Sequence, residues 1–147
     1  MVYLENPDAQ AVPHPTERTL EFLAHEFAHS YIHPLLEPQM ESFRESGQAA
    51  LARVEAAMRA EAYPTYPIMV EESIVRAVTV LYLRDRSTAE HAAHSLAEQQ
   101  RLSFLWMPEL VAALDDLRKQ QHGRFAAAPL GQAARNVLAS WLAAHPR

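Results

Sequence analysis

The sequence predicts a mainly α protein of about six helices, with at most a minimal strand at its N-terminus. Only 3 glycines stand against 10 prolines in 147 residues. Long stretches are rich in Ala, Leu, Glu and Arg, which enter helices at low cost. Between the prolines, apolar residues recur at helical spacing. With 49% hydrophobic residues at this length, the chain supports one ordinary core and not two.

Residues 1–15 read as an N-terminal arm and 16–147 as one helical domain. The arm has a single apolar patch, Val2-Tyr3-Leu4, an edge strand or a docked segment, and its prolines oppose a helix. The first helix begins near Thr16, a good N-cap with Glu17 in the first turn, and ends at Pro34. Leu20, Leu23, Phe27, Ala28 and Tyr31 give it an apolar side. A second helical stretch runs from about Pro38 to Ala62 with a break at Gly47; Met40, Phe43, Leu51, Val54 and Met58 keep the period. Tyr63-Pro64-Thr65-Tyr66-Pro67 is an extended connector, because each proline pushes its predecessor out of the α region. The third helix, Ile68 to Leu83, is apolar almost all round, as a buried central helix is. Ser87 or Thr88 caps a fourth, which reaches about Gln100. The fifth covers Pro108 to Gln121 and is closed by Gly123; the sixth covers Pro129 to Ala144. Trp106, Leu110, Leu114, Leu138 and Trp141 read as core.

Composition removes several function classes. The formal net charge is −5 and no Lys/Arg cluster appears, which disfavours nucleic acid as a partner. No cysteine is present, so disulfides, thiolate metal sites and cysteine nucleophiles are excluded. No apolar run approaches the roughly 18 residues of a membrane span, and no signal peptide is visible, which places the protein in the cytoplasm if the chain is complete. The sequence leaves the oligomeric state open.

One motif carries chemistry: His25-Glu26-Phe27-Ala28-His29, inside the first helix. Positions i and i+4 share a helix face with Cβ atoms about 5–6 Å apart, so two imidazoles there converge on one ion. Zinc takes nitrogen ligands at about 2.0–2.1 Å in tetrahedral geometry. Glu26, one residue beyond the first ligand, flanks a zinc-held water whose pKa falls to about 7 and removes its proton as general base. The competing reading is two solvated or core histidines. Against it, Leu23, Phe27 and Tyr31 surround the motif and direct both rings towards protein or a cleft.

Tetrahedral zinc needs a third protein donor. The third helix offers Glu71 and Glu72 within Ile68-Met69-Val70-Glu71-Glu72-Ser73-Ile74-Val75-Arg76. A carboxylate buried there is costly unless it is paired or binds metal. Glu72 can instead form an i,i+4 ion pair with Arg76, and helix phase gives Glu71 the more apolar side. Physical reasoning leaves both open.

His25-Glu26-Phe27-Ala28-His29-Ser30 with Pro34, followed by Glu72-Ser73-Ile74-Val75-Arg76-Ala77, resembles an uncharacterised bacterial family of HExxH zinc metallopeptidases. That family carries His-Glu-Phe-x-His-Ser, a nearby Pro, and a second helix with Glu-x-x-x-Arg-Ala. The likeness continues through Phe104-Leu105-Trp106 and the C-terminal helix. More broadly the chain is similar to gluzincin, thermolysin-like peptidases, whose third ligand is a Glu on the next core helix; the resemblance implies Glu72, with Glu71 second. Three features depart from that pattern. There are 42 residues between His29 and Glu72, an unusually long separation. Arg76 stands where thermolysin-like enzymes have an Asp that orients a ligand His. The sheet that binds substrate by strand addition is largely missing.

His33 continues the His25/His29 row without the Gly turn of longer motifs, so it reads as support for the site or as surface. In the resembling family this position is commonly Asn. Tyr63, Tyr66, His91, His94 and His122 are candidate oxyanion donors, with Tyr66 preferred because its connector enters the ligand helix. The sequence thus leads to one Zn²⁺ per chain on His25, His29 and Glu72, with Glu26 as base for hydrolysis of a peptide or protein substrate. The alternative is a non-catalytic zinc-binding helical interaction domain.

Overall fold

The computed structural model describes residues 16–146; the Val2-Tyr3-Leu4 patch and the rest of the arm lie outside them. Six α-helices and one 3-10 segment follow in order among these residues, and no strand. They are α1 (Glu17–Leu36), the 3-10 segment (Glu37–Phe43), α2 (Arg44–Ala60), α3 (Tyr66–Arg86), α4 (Ala89–Arg101), α5 (Met107–Gln120) and α6 (Ala127–Ala144). The mainly α expectation holds. No helix among the described residues is long and apolar enough to cross a membrane.

Local chemistry explains the boundaries. The Thr16 side chain accepts from Thr19 N–H and that of Thr88 from His91 N–H, each satisfying an amide that an N-terminal turn leaves without a partner. Proline stands in the first turns of α3 and α5, where its missing N–H is harmless. Gly123, at φ 86°, ends the turn after α5.

Three expectations about boundaries need correction. Tyr66 and Pro67 are not the end of an extended connector but the first residues of α3, because a proline is tolerated in a first helical turn. Pro34 does not end α1, which continues to Leu36; near a C-terminus the lost hydrogen bond is cheap, and fully buried Ile32 and Leu36 hold the turn. Gly47 is no break either. It lies inside α2, where a Cβ would come within 2.8 Å of Tyr66 Cδ2, so the glycine admits the aromatic ring. The interruption in α2 falls at Val54, whose φ −129° and ψ 17° are not helical.

α3 is the central helix. Met69, Val70, Ile74, Val75, Ala77, Val80, Leu81 and Leu83 are all buried, and α1, α2, α4 and α5 pack around it. Trp106 anchors the far side. It is fully buried, donates from Nε1 to Ser73 Oγ at 3.0 Å, and meets Trp141 edge to face with ring centroids 5.4 Å apart.

The face of α1 is the main departure from the expected packing. Leu23, Phe27 and Tyr31 were expected inside, yet they are 36%, 72% and 45% exposed. Ala28 is buried as expected, joined by Ile32 and Leu36, and with them the helix turns His25 and His29 towards α3. Trp106→Ala is expected to destabilise the protein by about 3–5 kcal/mol through the cavity it leaves. Urea unfolding measures this, and a loss under about 1 kcal/mol would mean that Trp106 does not anchor the core.

Candidate metal centre

α1 supplies two imidazoles one turn apart and α3 one carboxylate, and the three meet at the helix interface. His25 Nε2 and His29 Nε2 are 3.2 Å apart. Glu72 Oε1 lies 3.0 Å from His29 Nε2, and Glu72 Oε2 lies 3.7 Å from His25 Nε2. One donor atom from each residue falls within 4.8 Å of the others. Tetrahedral ligands at about 2.0–2.1 Å from zinc would be roughly 3.3–3.5 Å apart, so the closest contacts here have the right scale. His25, His29 and Glu72, all expected from the sequence, are thus brought together as a possible metal-binding triad.

The charges fit a cation. Glu72 is buried and Glu26 and Glu71 lie close by in the chain, against the single guanidinium of Arg76. Burial pushes the His25 imidazole below its ordinary value of 6.5, against the opposing pull of Glu72, so this ring is neutral near pH 7 and presents a lone pair. The donor set is two imidazoles and a carboxylate, which zinc accepts.

Glu71 does not reach the triad's centre; it holds the back of it. Its Oε1 lies 3.4 Å from His29 Nδ1 and its Oε2 lies 2.9 Å from His33 Nδ1. A carboxylate accepts only, so the Glu71 contact favours the His29 tautomer protonated at Nδ1, the one that would present an Nε2 lone pair to a cation. His33 takes the supporting place expected of it, and its hydrogen bond to Glu71 raises its own pKa above 6.5. Glu71 as a fixer of His29 was not visible in the sequence; the His29-x-x-x-His33 spacing was its one trace.

Arg76 holds Glu72 from the other side. Its Nε donates to Glu72 Oε2 at 3.1 Å and its Nη2 to Tyr63 Oη at 2.9 Å. The Glu72–Arg76 ion pair, weighed from the sequence as an alternative to ligation, therefore coexists with the approach of Glu72 to the histidines. Glu26 is exposed, and its charge acts on the neighbouring His25 ring. Tyr66 packs on Gly47, His91 pairs with Glu21 at 3.1 Å, and His94 and His122 are exposed. Of the five candidate oxyanion donors, Tyr63 is the one bonded to a partner of Glu72, and burial raises its phenol pKa.

The chain belongs to a family described as a domain of unknown function, DUF4932, whose model matches residues 11–128 and so spans both helices that supply the triad. No curated protein and no solved structure matches it.

Glu71→Leu is expected to weaken zinc binding at the triad by about 10–100-fold while the protein stays folded, because His29 and His33 lose the carboxylate that accepts from them. Chelator competition measures the constant, and an unchanged value would remove Glu71 from the site. In protein stripped of metal, proton NMR should find His25 titrating below 6.5 and His33 above it. The His25 contribution to stability is complete above pH 6.5 and is lost as pH falls towards its depressed midpoint; that of His33 is complete below 6.5 and fades as pH rises through its raised one. Reversed midpoints would contradict the geometry.

Proposed function

We propose that this chain is a zinc-dependent hydrolase of peptide bonds, with His25, His29 and Glu72 as ligands and Glu26 as general base. One observation carries the reading: three protein donors converge, one short of a tetrahedral shell, beside an exposed carboxylate adjacent in sequence to the first ligand. Structural zinc is usually closed by four protein donors, whereas catalytic zinc keeps one position open.

Zinc held there supplies a Lewis acid for the scissile carbonyl and lowers the pKa of water to about 7. Glu26 takes the proton as the nucleophile forms and returns it to the departing amine, so the proton count closes over one turnover. Glu72 would supply the negative charge of the ligand set, while Arg76 holds its Oε2. Glu71 keeps His29 in the ligating tautomer. Tyr63 accepts from Arg76 and its hydroxyl also interacts with Glu72, so it braces that ligand.

The reading also implies how a substrate is held. No strand exists among the described residues to extend by an added peptide strand. Exposed Phe22, Leu23 and Phe27 on the motif helix offer side-chain contact instead.

A second reading has support of its own. The triad ties α1 to α3, and the missing strand edge suits a non-catalytic zinc domain, in which zinc contributes directly to folding. Glu26→Gln separates the two. The expected result is about one zinc per chain, unchanged, with peptide hydrolysis reduced by about 10²–10⁴-fold. Full activity in that variant would eliminate Glu26 as base. A large chelator-induced drop in melting temperature, with wild-type protein inert towards a diverse peptide library, would favour the structural role.

A further inference from the structure

α4 carries a buried polar stripe where an apolar one would be expected. His91, Ser95 and Gln99 stand four residues apart on one face and are 8%, 1% and 6% exposed. Buried polar groups cost stability unless partnered, and each of these has partners. Gln99 Oε1 accepts from Arg76 Nη1 at 2.6 Å, and Gln99 Nε2 donates to the Ser95 carbonyl at 3.2 Å. Ser95 Oγ donates to Glu21 Oε1 at 2.5 Å, and His91 Nε2 lies 3.1 Å from Glu21 Oε2. Ser87 Oγ holds His91 Nδ1 at 2.9 Å.

The partners are spaced with respect to the ligands. Glu21 lies one turn before His25 on α1, and Arg76 one turn after Glu72 on α3. α4 therefore grips both ligand helices one turn from the triad. Between the grips lies a cavity of about 270 Å³ lined by Glu21, Phe22, His25, Arg76, Thr79 and Gln99, among others. Direct packing brings α1 and α3 together; at this end the α4 hydrogen bonds add directional restraints on Glu21 and Arg76. Gln99 has the most direct route: it fixes the Arg76 guanidinium, which fixes Glu72 Oε2.

We infer that the α4 stripe positions the metal ligands, with Gln99 and Ser95 controlling metal affinity without touching the ion. This rests on the reading of His25, His29 and Glu72 as a metal site. The geometry is directional. An alanine or leucine stripe would fill the same interface but would leave Tyr63 as the one acceptor besides Glu72 that the Arg76 guanidinium has here, so Glu72 would be held less firmly.

The test is zinc affinity by competition with a chromophoric chelator, together with melting curves in excess chelator. Gln99→Leu removes the acceptor for Arg76 and is expected to weaken zinc binding by about 10–100-fold. Gln99→Glu retains an acceptor and is expected to restore affinity to within a few-fold of wild type. Ser95→Ala, a small change should the leucine variant fail to fold, is expected to weaken binding several-fold. A stripe that only stabilises the fold would lower the melting temperatures of Gln99→Leu and Ser95→Ala and leave their zinc constants unchanged; that result overturns the inference while the metal site stands. Wild-type protein that binds no zinc overturns the metal site, and the inference with it.

Discussion

The structure turns on one buried carboxylate. Glu72 is 7% exposed in the middle of the central helix, and an ionised group there must be compensated or it costs several kcal/mol. Its two oxygens divide the task. Oε2 takes the Arg76 guanidinium, and Oε1 faces His29. Because His25 and His29 must come to meet it, the rotation of α1 is fixed, and from that rotation follow the buried and exposed faces of the whole helix. α4 then has to accommodate Arg76 and Glu21, which explains polar residues in an interface that packing alone would fill with alanine and leucine.

Much of this was legible residue by residue. Thr16 and Thr88 are capping residues by chemistry, and both cap. Pro67 and Pro108 sit where helices start, and the nearly all-apolar stretch from Ile68 is buried as its composition requires. The His25-Glu26-x-x-His29 spelling encodes the geometry of its own site, since helix pitch alone sets the two rings together. Properties that depend on tertiary context were illegible. Leu23, Phe27 and Tyr31 form a helical row, but the row does not reveal that a polar site on an adjacent face will win the interior. Gly47 reads as a breaker until Tyr66 is seen against it. Glu71 and Glu72 are adjacent and identical in type, and only the relative rotation of α1 and α3 separates their roles.

Under the proposed reading, the features in which this chain differs from thermolysin-like peptidases have a physical account in the fold. The 42 residues between His29 and Glu72 accommodate the 3-10 segment and α2. They do not separate the ligands, because α1 and α3 run in opposite senses side by side: His33 meets Glu71, while Leu20 and Leu23 line a cavity with Val78 and Tyr82. Arg76 in place of an orienting carboxylate does not leave His29 unsupported. The orienting carboxylate comes from the other side of Glu72 in sequence, as Glu71, and Arg76 is thereby free to hold Glu72 itself. Under the proposed reading, Glu71 supports one ligand histidine and Arg76 fixes the rotamer of the ligand carboxylate.

Magnitudes indicate why a polar site can set the orientation of α1. Fully burying a large apolar side chain stabilises by about 1.5–3 kcal/mol. The orientation seen leaves Leu23, Phe27 and Tyr31 partly in water but buries Ile32 and Leu36 completely. The apolar difference between the two possible faces is therefore a few kcal/mol at most. An exposed ion pair, worth about 0–1 kcal/mol, would not reliably decide between them. A buried carboxylate left without partners costs several kcal/mol, and a cation bound by two helices contributes on the order of 10 kcal/mol in small zinc domains. Either term is large enough to turn the helix, and both turn it the same way. Under the proposed reading the exposed apolar row is then a direct consequence of the site, and it lies on the same helix as the base, where an incoming peptide side chain would meet it.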